Sequence, residues 1–133
     1  MSVILVTGGT GAIGSAIAAE FARTDDVIFT YNTRAEEAAR ISRELRCTAV
    51  QADVSDYASA QGAVQQVLKD FGRIDVLVNN AGVSQIKLFT DITPEDWQHV
   101  INIDLNGVYN MTHAAVDSMI RRKSGAIVNI SSV

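Results

Sequence analysis

Four places in this 133-residue chain hold residues whose types and spacing can do chemistry. Residues 7–14 read Thr-Gly-Gly-Thr-Gly-Ala-Ile-Gly, directly after the apolar run Val3 to Val6 and before a helical pattern. Glycines in such a position let the chain turn tightly and bring backbone N–H groups to a phosphate at the positive end of a helix. Residues 31–34 read Tyr-Asn-Thr-Arg, with no acid before Glu36. Asn32 and Thr33 can donate hydrogen bonds, and Arg34 can meet a phosphate with a fork of N–H groups. Residues 126–133 read AIVNISSV, an apolar strand that carries Ser131 and Ser132 at its tip. Asp104 is the fourth case. It shares helical spacing with Val100, Ile101, Val108 and Met111, and a carboxylate on such an apolar face is costly unless it is paired or opens into a polar cleft.

Other chemistries lack their residues. His99 and His113 are fourteen positions apart on one helical pattern, about 21 Å along its axis, so they form no metal pair and read as surface residues. No G-x-S-x-G elbow surrounds the serines, and no histidine–acid pair suits a serine hydrolase. No metal site is expected.

The elements that must position these residues alternate. Apolar strands are expected at Val3 to Val6, 27–31, 48–52, 74–79 and from Ala126, and helices at Ala12 to Arg23, Glu36 to Arg46, from a Ser55 cap to Phe71, and from a Thr93 cap to Arg122. The first helix places Ile13, Ile17 and Phe21 on one side. This rhythm predicts one α/β domain over residues 1–133, a doubly wound parallel sheet with helices on both faces. Hydrophobic residues make up 47% and the net charge is −4, a balance that argues against nucleic acid or an anionic membrane as partner. Cys47 is alone, and no signal-peptide pattern or bilayer-length apolar run is present, so a cytoplasmic protein is expected.

Four motifs in order carry a resemblance: TGGTGAIG at 7–14, Asp53-Val54 after the third strand, NNAG at 79–82 and NISS at 129–132. Together they resemble the short-chain dehydrogenase/reductase family. Its common single-domain members would place a glycine at Ala12, and the T-G-x-x-G-x-x-G spacing seen here also occurs in extended, epimerase-like members. NNAG and its short distance to NISS favour the single-domain type. The segment from Phe71 through Ser132 resembles 3-oxoacyl-[acyl-carrier-protein] reductases and the related elongation factor P 5-aminopentanone reductases, and LFTDIT at 88–93 leans toward the second group.

The resemblance implies a Rossmann-type fold and hydride transfer between a nicotinamide cofactor and a small-molecule carbonyl substrate, free or carrier-bound, in a homo-oligomer. It places cofactor contacts at Gly8, Thr10, Gly11, Ile13, Gly14, Asp53, Val54, Asn80, Ala81, Gly82 and Ile103, with Asn32, Thr33 and Arg34 at the ribose. With no acid at the end of the second strand, NADP(H) is expected over NAD(H). Ser132 falls on the family's catalytic serine, and Asp104 on the asparagine that supports a proton-relay water. An ionised Asp accepts hydrogen bonds but donates none. The family's Y-x-x-x-K pair is absent, because Tyr31, Tyr57 and Tyr109 are followed four positions later by Ala35, Gln61 and His113. The expectation is a fold truncated after its fifth strand, with an incomplete catalytic set. The alternative is a non-catalytic nucleotide-binding module or partner subunit.

Overall fold

A computed structural model describes residues 1–132. Its core is a five-stranded parallel sheet of β1 (Val3–Val6), β2 (Asp26–Tyr31), β3 (Thr48–Gln51), β4 (Val76–Asn79) and β5 (Ala126–Asn129). The spatial order is β3-β2-β1-β4-β5. From β1 the chain works outward to β2 and β3, then crosses back to place β4 on the other side of β1. That reversal opens a crevice at the carboxyl ends of β1 and β4, where open α/β sheets bind ligands.

The inner strands β1, β2 and β4 are largely apolar on both faces because both are covered. On one side Ile4, Val6, Val27 and Phe29 pack with Ala18 of α1 (Ala12–Phe21) and with Ala38 and Ile41 of α2 (Ala35–Leu45). On the other, Leu5, Ile28 and Leu77 pack with Ala60, Val64 and Val67 of α3 (Tyr57–Phe71) and with Met111 and Ala115 of α5 (Gly107–Arg122). Full burial of side chains such as Phe29 or Leu77 contributes about 2–3 kcal/mol each.

Several helix boundaries differ from the sequence expectation, for local reasons. The first helix ends at Phe21 rather than Arg23. The third is capped by Asp56, not Ser55: the Asp56 carboxylate accepts the Ser59 N–H, while the Ser55 hydroxyl donates to Asp53. The stretch expected as one helix from Thr93 to Arg122 has three parts. Thr93 and Asp96 form a reciprocal capping box that opens α4 (Pro94–Val100), a π-helical stretch covers Ile101–Asn106, and α5 follows. On its outside, Asn102 Oδ1 accepts from Gln98 at 2.8 Å and from Asn106 at 3.1 Å. π-helical turns of this kind recur at functional sites. No described helix is long and apolar enough to cross a membrane.

Candidate functional site

A cleft of about 610 Å³ lies over the carboxyl ends of β1, β2, β3 and β4. Each sequence-derived cofactor contact lines it. The turn after β1 contributes Gly8, Thr10, Gly11, Ile13 and Gly14. The end of β2 contributes Asn32, Thr33 and Arg34, and the end of β3 contributes Asp53 and Val54. The end of β4 contributes Asn80, Ala81 and Gly82, and the π-helical stretch contributes Ile103.

The first turn is built for close approach. Gly8 adopts φ +69°, a left-handed conformation that suits glycine. A Cβ on Gly14 would collide with the Gly8 carbonyl oxygen and come within 2.6 Å of Asn80 Nδ2. Asn80 Nδ2 donates to the Thr7 and Gly8 carbonyls at 3.1 and 3.3 Å, while Thr7 Oγ1 accepts the Asn80 and Ala81 N–H groups at 2.9 Å each. The NNAG segment thus holds the glycine turn in place from β4.

α1 begins at this turn with no side-chain cap and no acid in its first turn, so no side chain of its own neutralises the positive end that faces the cleft. Around Gly11 the nearest atom to a notional Cβ is the Gly8 carbonyl oxygen, at 3.6 Å, so this face stays open to an incoming group. Uncapped N–H groups, an open glycine and a bordering guanidinium fit a pyrophosphate-bearing dinucleotide. Arg34 Nη1 donates to the Thr10 carbonyl at 3.3 Å and bridges the ends of β1 and β2.

At the β3 end, Asp53 Oδ1 accepts from the Ser55 N–H at 3.0 Å and the Ser55 hydroxyl at 2.6 Å. The Asp53 N–H donates to Ser59 Oγ at 2.9 Å. These bonds fix a tight turn before α3 and leave the second Asp53 oxygen available.

Asp104 departs from its expected setting. It is exposed, and its Oδ1 accepts the Val83 N–H at 2.8 Å. It lies in the π-helical stretch, where the repeat of an uninterrupted α-helix does not hold. Its carboxylate instead holds the backbone leaving NNAG, 3.3 Å from where a Gly82 Cβ would stand. Ile13, expected both as a cofactor contact and on one side with Ile17 and Phe21, is 61% exposed and lines the cleft, while Ile17 and Phe21 pack on the core. Ser132 is exposed beyond β5 and is not among the cleft's lining residues. Val133 lies outside the described residues.

Sequence reasoning passed over His99. It is exposed, as expected of a surface residue, yet it lines the cleft with Ile103 four positions on. Its signal was available, because one helical turn separates the two residues. Thr30, Tyr31 and Ala52 also line the cleft. His113 is exposed and pairs with Tyr57 Oη at 2.8 Å, away from the cleft lining.

Comparison with known proteins agrees with this geometry. A sequence model for short chain dehydrogenase matches residues 2–133. Oxidoreductase UcpA of Salmonella typhimurium is 44% identical over 134 residues, covering 97% of this chain and 51% of its own length. The 3-oxoacyl-[acyl-carrier-protein] reductase FabG of Staphylococcus aureus is 36% identical over 135 residues, covering 97% and 55%. A solved short-chain dehydrogenase from Streptomyces avermitilis superposes with a TM-score of 0.91 at 36% identity, covering 98% of this chain and 49% of that one. The chain therefore spans about half the length of the curated relatives it matches.

Proposed function

The chain belongs to the short chain dehydrogenase family, and on that premise we propose that it forms the cofactor-binding part of an NADP(H)-dependent oxidoreductase acting on a carbonyl substrate. The observation that carries the cofactor preference is the end of β2. Asn32, Thr33 and Arg34 border the cleft there, and no acid stands between Tyr31 and Glu36 to repel a 2′-phosphate. The Arg34 guanidinium already lies across the turn, on the Thr10 carbonyl, with further N–H groups to offer.

In this reading the uncapped start of α1 holds the pyrophosphate, and Asp53 and Val54 border the adenine. The NNAG backbone keeps the glycine turn closed against the sheet. The nicotinamide supplies or accepts a hydride when bound. Asp104 orients the backbone at Val83 by accepting its N–H. Ser132 would hold the substrate oxygen. The Y-x-x-x-K pair does not occur within residues 1–133, so these residues alone bind cofactor without turning substrate over. The name of the FabG relative supports a 3-oxoacyl-like ketone as substrate class.

The test is a fluorescence titration with NADPH and NADH. NADPH is expected to bind roughly ten-fold or more tightly, equivalent to about 1.4 kcal/mol, and Arg34→Ala to erase the difference. Equal or tighter binding of NADH by the unaltered chain would overturn the NADP(H) assignment.

A further inference from the structure

The adenine border of the cleft is not held by β3 alone. Asn110 lies on α5, well outside the four sequence motifs, and only 6% of it is exposed. Its Nδ2 donates to the Val54 carbonyl at 2.8 Å, a buried bond across 56 positions. One turn earlier on the same helix, a Cβ on Gly107 would come within 2.7 Å of Val54 Cγ2. The glycine lets α5 press against Val54, and the asparagine fastens it there. Val54 is itself a lining residue.

We propose that Asn110 is a positioning residue for the adenine end of the cleft, acting through the Val54 carbonyl. The inference rests on the dinucleotide reading above and extends it to a residue that touches no cofactor. The turn at 53–56 has its own bonds: Ser59 Oγ accepts the Asp53 N–H, Asp53 accepts from Ser55, and Asp56 caps α3. Loss of the Asn110 bond therefore leaves the turn folded but frees its position relative to α5. The same helical segment reaches the other side of the cleft through Asp104 and the Val83 N–H. Asn110 thus sets where the β3 side stands relative to the β4 side.

The consequence is a split between the two halves of a dinucleotide. The experiment titrates the unaltered chain, Asn110→Leu and Asn110→Ala with NADPH, adenosine 2′,5′-bisphosphate and nicotinamide mononucleotide, and checks folding by thermal melting. The variants are expected to bind NADPH and the bisphosphate roughly ten-fold more weakly, with binding of the mononucleotide unchanged. Equal weakening of all three ligands, or of none, overturns the proposal. If the unaltered chain binds neither NADPH nor the bisphosphate, the dinucleotide reading itself fails, a result distinct from a missing split. Hydrogen exchange on the unaltered chain gives a second test that needs no variant. Adding the bisphosphate is expected to slow exchange at 107–111 together with 53–56, and slowing confined to 53–56 counts against the proposal.

Discussion

β1 and β5 have the same length and the same parallel pairing to β4, yet all four residues of β1 are buried and all four of β5 are exposed. β1 has strands on both sides and helices over both faces, whereas β5 has only β4 beside it among the described strands. Register partners show the contrast residue by residue. Leu77 of β4 is fully buried, while its partner Ile127 is 36% exposed. The difference separates the two ends of the candidate site. The glycine turn grows out of the most tightly held strand, and Ser132 follows the least covered one.

The largest expected effect comes from the covered side. Leu77→Ala should cost about 3 kcal/mol in urea denaturation, because the removed side chain leaves a cavity between α3, α5 and the sheet. A loss below about 1 kcal/mol would show the inner sheet to be as loosely held as its edge.

Gly14→Ala is expected next, at about 2 kcal/mol, since its Cβ has no room between the Gly8 carbonyl and Asn80. NADPH affinity should fall with it, because the turn must open to make space. An unchanged melting temperature and affinity would contradict the packing described for this turn.

Asp75 links the two regions at the base of the sheet. Its carboxylate accepts the Val3 N–H at 2.8 Å and pairs with Arg73 at 2.9 Å and Arg122 at 2.7 Å, while its carbonyl accepts the Ala126 N–H at 2.9 Å. Partial burial pushes the carboxyl up, but the Val3 N–H and the two guanidinium groups outweigh it and hold it below the ordinary carboxylate value of 3.8. A carboxyl lowered in the folded state stabilises the fold above its unfolded pKa, and that stability is lost as pH falls through the folded pKa. Denaturation midpoints measured against pH should therefore drop below about pH 4, and Asp75→Asn should lower the midpoint at pH 7 and flatten the acid drop. An unchanged acid limb in the variant would remove Asp75 from the account.

The smallest effect on stability belongs to β5. Ile127→Thr with Val128→Thr should change unfolding free energy by about 1 kcal/mol or less, since both side chains are already substantially exposed. Their larger effect is expected on association. An edge strand carrying Ile127 and Val128, with Ile130 just beyond it, favours pairing between copies, so light scattering should show assemblies that the double substitution reduces. A monomer before and after the change would contradict this.

The fold was legible in the sequence because the strands are short, mostly apolar runs that alternate with helical patterns, punctuated by Gly8, Gly72 and the Thr93-Pro94 helix start. The cleft lining was legible because most of it follows a strand end, where the motifs sit. What escaped reading depends on helix phase and cross-chain contact. A π-helical stretch has no composition signature, so the exposed setting of Asp104 does not follow from α-helical spacing. His99 joins the cleft only through the placement of α4, and Asn110 matters only because Val54 packs against it. Ser59 likewise gave no sign of holding the Asp53 backbone.

The most direct test of the central claim is a backbone amide NMR titration of the chain with NADPH. The account predicts that amide signals at 8–14, 32–34 and 53–54 shift together and saturably, while those of β5 at 126–129 stay in place. Shifts scattered over the β5 edge, with the glycine turn unmoved, would contradict it.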